Sequence, residues 1–349
     1  MNLLAGYKII DFTRLLPGPL ATHLLAQMGA EIIKIEHPKR MDYARSSGPQ
    51  VDGASILFHQ LNHNKTSKII DYNTEEGKSW LMEEIKTADA VMEQFRPGAM
   101  EAWGYGYEAL KAINPSLVYV SLTGYGQDNA YSNEAGHDFN YLAYSGVMSL
   151  MKDKQGKPTV SDTQFADISG SYMAIIALQG ALIKRAKTGE GSYVDVSIAD
   201  AMHPFLALPY ALHKGGLDYR QFNSINGKTT VNYAAYACAD NKWLSVGALE
   251  MKFWNTFCEL VGKPDWKRSG PFDTFVNQFP KGEVEALFKQ RTRDEWMQFF
   301  KGQDVCIAPI LEIEELENSD YHTHKGTFEA FTTAGGKELK TIRVPFKVN

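Results

Sequence analysis

Tyr7-Lys8-Ile9-Ile10-Asp11-Phe12-Thr13-Arg14-Leu15-Leu16-Pro17-Gly18-Pro19-Leu20-Ala21-Thr22-His23-Leu24-Leu25-Ala26-Gln27-Met28-Gly29-Ala30-Glu31-Ile32-Ile33-Lys34-Ile35-Glu36 sets the architecture. Tyr7 to Phe12 reads as a strand. Pro17 and Pro19 sit where a helix start tolerates them, Leu20, Leu24, Leu25 and Met28 form one apolar face, and Gly29 stops the helix. Glu31 to Glu36 is a second strand. Strand, helix and strand in this spacing predict a parallel pair with a right-handed crossover.

The alternation continues downstream. Strands are expected at Ser67 to Asp71, Ala90 to Gln94, Leu117 to Leu122 and Tyr193 to Ile198. Helices are expected from a Thr74 cap to about Lys86, after Arg96-Pro97-Gly98, at Tyr107 to Ile113, and from Thr163 to Lys187 ahead of Gly189. Such a pattern implies an α/β, doubly wound, Rossmann-like parallel sheet. It covers residues 1–213, with 325–349 returning to it. Composition shifts to polar and glycine-bearing over 214–228, read as a linker. Residues 229–324 then form a smaller α+β domain, with strands at Thr229 to Ala237 and Lys242 to Val246 and helices near 250–261, 276–288 and 294–300.

Totals narrow the function. The 349 residues are 44% hydrophobic and 22% charged, with a formal charge of −5, which argues against a general nucleic-acid binder. The three cysteines, Cys238, Cys258 and Cys306, form no C-x-x-C and suit a reducing compartment. No apolar run is expected to span a bilayer, and the start lacks a secretory pattern, so a cytoplasmic enzyme without a membrane partner is the expectation. Gly77-Lys78-Ser79 and Gly227-Lys228-Thr229 look like the end of a phosphate loop, but Tyr72 and Phe222 replace the required earlier glycine. Neither a G-x-G-x-x-G nor a G-x-S-x-G is present, which disfavours a nicotinamide cofactor and an acyl-serine mechanism. His322 and His324 lack a surrounding ligand framework and read as surface residues rather than a metal site.

The chemistry is sought between Gly136 and Gly170. Gly136-His137-Asp138-Phe139-Asn140-Tyr141 places a histidine beside an aspartate at a helix start, and Asp167 follows in a segment otherwise poor in charge. On residue type alone, a histidine-aspartate pair ahead of an apolar helix is more often a cap and its neighbour than a catalyst; Asp167 is open to the same reading, and Asp138 is read as capping the helix that it opens. An exposed helix N-terminus is also a place to stabilise an enolate oxygen.

Several segments together resemble the class III CoA-transferase superfamily. They are Asp11 to Glu36, Asn62-His63-Asn64-Lys65-Thr66-Ser67, Phe95-Arg96-Pro97-Gly98, Ser121-Leu122-Thr123-Gly124-Tyr125-Gly126-Gln127 and Thr188 to Ser197. Within it, the intact Gly136 to Tyr141 motif and Gly247-Ala248-Leu249-Glu250-Met251-Lys252-Phe253-Trp254 resemble the branch of α-methylacyl-CoA racemase. The resemblance implies an acyl-CoA substrate, with coenzyme A part of the substrate and no permanently bound cofactor. It implies His137 and Asp167 as the two acid/bases, Glu250 holding the histidine, and the Asp138 backbone at the thioester oxygen. Arg14, Arg40, Lys65, Arg96, Tyr125 and Gly126 fall on the CoA side. His37, His63 and Thr66 stand where family members often carry arginine. Met148, Leu150 and Met151 are expected to offer an apolar surface to the acyl tail. The alternative in the superfamily is a transferase whose Asp167 forms an aspartyl-CoA thioester. The resemblance also implies an interlocked homodimer, in which Glu250 reaches His137 of the partner subunit.

Overall fold

The computed structural model describes residues 2–153, 155–217, 230–268 and 281–348. Taken in chain order, the elements are β1 (Lys8–Asp11), α1 (Pro17–Gln27), β2 (Glu31–Glu36), the short hairpin β3 (Gln50–Val51) and β4 (Ala54–Ser55), α2 (Ile56–Asn62), β5 (Thr66–Ile69), α3 (Glu75–Thr87) and β6 (Ala90–Glu93). Next come α4 (Ala99–Ala102), α5 (Tyr107–Ile113), β7 (Val118–Thr123), α6 (Asp138–Tyr144), α7 (Phe165–Thr188) and β8 (Ser192–Ser197). A six-stranded sheet in the order β5-β2-β1-β6-β7-β8 is parallel throughout.

Side-chain alternation explains why helices cover both faces. Ile9, Ile32, Met92 and Val120 enter the core shared with α1 and α7, whereas Ile10, Ile33, Val91 and Tyr119 enter the core shared with α3 and α5. Strands buried on both faces are what crossover helices require. The expected caps are present as well. The Thr74 hydroxyl accepts the Gly77 N–H at 3.1 Å, and a Cβ on Gly77 would lie 2.1 Å from the Asp71 carbonyl. Gly77-Lys78-Ser79 is therefore the first turn of a capped helix. Gly189, at φ +77°, closes α7 by donating its N–H to the Arg185 carbonyl at 2.7 Å.

One expectation needs correction. Among the described residues α7 is long and apolar enough to cross a membrane, with half of its 18-residue window buried. Its interruption by Ser169, Gly170 and Ser171 hid that length from a search for unbroken apolar runs. Ala174, Ile175, Leu178 and Leu182 pack it into the core against α1 and the sheet.

Chain contacts separate Met1–Leu206 with Tyr321–Asn349 from Ala207–Asp320. The first division thus falls ahead of α8 (Ala207–Lys214), rather than at 213, and most of the expected linker lies outside the described residues. The second unit contains β9 (Tyr233–Ala237), β10 (Trp243–Gly247), α9 (Met251–Leu260), α10 (Lys281–Phe288), α11 (Arg293–Phe299), β11 (Ile307–Ile310) and α12 (Ile313–Leu316). Its strands pair antiparallel in the order β11-β10-β9, over a core of Trp254, Phe257, Phe288, Trp296 and Phe300. The third strand, β11, was not expected.

After α13 (Asp320–Lys325), the hairpin of β12 (Phe328–Thr332) and β13 (Glu338–Ile342) lies on α1 and α2 of the first unit. Gln27 donates to the Ile342 carbonyl at 3.1 Å and accepts the Val344 N–H at 2.6 Å, and His63 stacks on Phe331 at 3.9 Å.

Candidate active site

A cavity of about 490 Å³ opens at the carboxyl ends of the strands. Residues following β1 (Leu15, Pro17), β6 (Gln94, Phe95, Arg96, Pro97) and β7 (Gly124, Tyr125) line it. Because β1 lies between β2 and β6, the connections leaving β1 and β6 diverge there, and open α/β sheets bind ligands at such a divide. His137, Asn140, Tyr141 and Asp167 complete the wall. The cleft therefore joins the two residues singled out in the sequence.

The turn carrying His137 is held by close packing. Tyr141 Oη donates to the Gly136 carbonyl at 2.6 Å, and a Cβ on Gly136 would meet the Tyr141 ring at 2.7 Å and Tyr125 Oη at 2.8 Å. Gly124 is crowded by the same tyrosine, its Cβ position lying 2.6 Å from the ring. Tyr141 thus leaves no space for a side chain at either Gly124 or Gly136. Asn140 Oδ1 accepts the His137 N–H at 3.1 Å, so His137 precedes α6 in extended backbone with an exposed side chain.

Asp138 does cap a helix, but not the one it opens. Its Oδ1 accepts the N–H of Ala166 at 2.7 Å and of Asp167 at 3.1 Å, tying the start of α6 to the first turn of α7. Sequence spacing could not reveal this, since the partners are 28 and 29 residues away. Asp167 is the third residue of α7. Burial, and after it the neighbouring charge of Asp138, pushes its carboxyl up to about 7. The folded protein thus holds this proton more tightly than the unfolded chain. The stabilisation is fully present below about pH 4 and is lost as pH rises through 7. Asp167→Asn should accordingly be more stable than the natural chain at pH 8.5, by roughly 2–4 kcal/mol, and near-equal at pH 4, as read from urea denaturation midpoints.

The expected CoA-side residues divide. Arg96 and Tyr125 line the cavity. The Arg14 guanidinium lies 4.7 Å from the Phe95 ring centre and that of Arg40 lies 5.0 Å from Trp103. Gly126 stands outside the cavity wall, turning the chain at φ +77° with its Cβ position 3.3 Å from Asp195. Lys65 is a clear correction. Its ammonium is fully buried, 3.2 Å from Asp11 Oδ2, and donates to Thr22 Oγ1 at 2.7 Å, the Pro19 carbonyl at 2.9 Å and Asn62 Oδ1 at 2.9 Å.

A second buried pair, Lys34 with Asp42 at 2.9 Å, adjoins the first. Asp42 Oδ1 accepts the N–H of Leu15 at 3.0 Å and of Ala44 at 2.9 Å, so this pair shapes the cavity's Leu15 and Tyr43. Tyr43 escaped the sequence reading, there being no periodicity around it to mark it. Met148, Leu150 and Met151 do not line this cavity. Met148 and Leu150 lie in a short helical turn after α6 that ends at Leu150, and Met151 follows it. Glu250 belongs to the second unit, exposed just ahead of α9. No group of three metal-binding side chains occurs among the described residues, His322 and His324 included.

The family description CoA-transferase family III matches residues 4–349. The chain belongs to CoA-transferase family III. It is 30% identical to human alpha-methylacyl-CoA racemase over 93% of this chain and 82% of that one. It is 36% identical to succinate–glutarate CoA-transferase of Agrobacterium fabrum, over 58% of this chain and 53% of that one. The crystal structure of a CAIB/BAIF family protein from Brucella suis superposes with a TM-score of 0.82 at 28% identity, covering 99% of this chain and 93% of its own. Members of family III are enzymes acting on CoA thioesters, and both racemases and transferases occur among the relatives.

Proposed function

We propose that the chain is a racemase or epimerase that inverts the α-carbon of 2-methyl-branched acyl-CoA thioesters. The observation carrying this reading is that His137 and Asp167 border one cavity while burial keeps the Asp167 carboxyl near neutrality. The thioester acidifies the α-hydrogen. One of the two side chains removes that proton, and the C–H electron pair passes into the enolate. The other side chain delivers a proton to the opposite face, and the C–S bond stays intact. Two groups are needed because a single base returning its proton restores the original configuration. A carboxyl titrating near 7 can serve as either acid or base at neutral pH. We assign the Asp138 N–H to the thioester oxygen, where one such donor contributes about 3–4 kcal/mol in comparable sites. Glu250 is assigned to hold His137 of the partner subunit in a homodimer.

Incubating one epimer of a 2-methylacyl-CoA in deuterated water is the test. Loss of α-protium together with loss of configuration is expected; retained protium and configuration overturn the reading. The similarity to succinate–glutarate CoA-transferase favours a second reading, in which Asp167 attacks the thioester. That chemistry needs an ionised carboxylate, which the elevated pKa works against. Hydroxylamine capture of an acyl group on Asp167, without isotope exchange, would establish it.

A further inference from the structure

We propose that the Asp138 carboxylate is a positioning residue for Asp167, fixing where that side chain enters the cavity and supplying the negative charge against which it works. The inference rests on the two-proton-carrier reading above and deepens it. Asp167 stands in the first turn of a 24-residue helix, where free N–H groups and the helix dipole ordinarily favour an ionised carboxylate. Asp138 Oδ1 has taken the N–H of Ala166 at 2.7 Å and the N–H of Asp167 itself at 3.1 Å. Among the described residues none donates a hydrogen bond to the Asp167 carboxyl. Two carboxylates thus share one helix start, and the first occupies the groups that would stabilise the second.

The remaining surroundings do not offset that. Tyr43, Tyr141, His137, Arg96 and Glu134 share the cavity wall with Asp167, and the Asp167 charge acts on the Tyr43 and Tyr141 hydroxyls. Burial and the Asp138 charge are the two influences that raise its carboxyl. The hydrogen bonds also fix geometry. A side chain on α6 holds the backbone of the residue carrying the second proton, so His137 and Asp167 keep their spacing through one carboxylate.

The experiment uses ligand-free protein carrying [γ-13C]aspartate, with the Asp167 resonance identified by its loss in Asp167→Asn. In the natural chain, the Asp167 signal should titrate near 7. Asp138→Asn keeps the Oδ1 acceptor and removes the charge. It should lower the Asp167 midpoint by about one pH unit or more, and move the acid limb of α-hydrogen exchange by the same amount. Asp138→Ala removes the clamp as well and should also lower kcat more than it raises KM. An Asp167 midpoint unchanged in Asp138→Asn overturns the proposal. So does a single transition near 4 for the Asp167 signal in the natural chain. The carbon titration does not depend on turnover. A shifted midpoint in a protein that never exchanges α-hydrogen would sustain the Asp138 assignment and remove only the racemase reading.

Discussion

Asp167→Asn should cut interconversion of 2-methylacyl-CoA epimers by orders of magnitude while leaving one epimer able to exchange its α-hydrogen. The two side chains border the same cavity from different elements, His137 ahead of α6 and Asp167 within α7. With the carboxyl gone, His137 should still remove a proton from the face assigned to it and return solvent deuterium there. Exchange then proceeds with retention for one substrate epimer only. His137→Gln should show the mirror pattern, with exchange confined to the other epimer. Inversion should fall by about 10²–10⁴-fold in each, the usual contribution of a positioned acid or base. Nuclear magnetic resonance of the α-position, paired with chiral separation of the released acids, reads both quantities. Full inversion surviving in Asp167→Asn would eliminate the two-sided assignment. Loss of acyl transfer with no exchange in any form would point to the transferase chemistry.

Lys65→Met should cost stability rather than affinity for coenzyme A. The Lys65 ammonium and the Asp11 carboxylate are fully buried, 3.2 Å apart. Burial works to raise the Asp11 carboxyl, but the Lys65 and Lys34 charges and the Thr13 and Thr22 hydroxyls outweigh it and hold the pKa below its ordinary value. Removing one member of such a pair leaves the other uncompensated, a loss of about 3–5 kcal/mol. Denaturation in urea should show that loss in Lys65→Met and recovery of most of it in Asp11→Asn/Lys65→Met. The ratio of affinities for coenzyme A and its dephosphorylated form should stay unchanged. A changed ratio with unaltered stability would restore Lys65 to phosphate binding.

These two outcomes mark where the sequence was legible. The βαβ opening was readable because Ile9, Ile10, Ile32 and Ile33 alternate between two buried faces and prolines stand at the helix start. The Gly136 to Tyr141 motif was readable through its resemblance, and the structure adds a local steric reason: Tyr141 leaves no space for a side chain at Gly136. What escaped depends on distant partners. Lysine is ordinarily a surface residue, and only the convergence of β1, α1 and α2 turns Lys65 into a buried cation. The Asp138 clamp joins residues a full loop apart. Strand β11 has only four residues and carries Pro309, which a strand tolerates at a sheet edge, and β11 is an edge. A short run with a proline offers little to read.

The hairpin of Phe328–Thr332 and Glu338–Ile342 has a consequence for biosynthesis. Its seat is formed by α1 and α2, made well before it, yet Gln27, Gln60 and His63 must await partners more than 250 residues away. During translation the second unit emerges in full before that seat is covered. Helices α1 and α2 therefore wait with a bare flank while the second unit is made, and β12 and β13 act as the closing piece of the first unit.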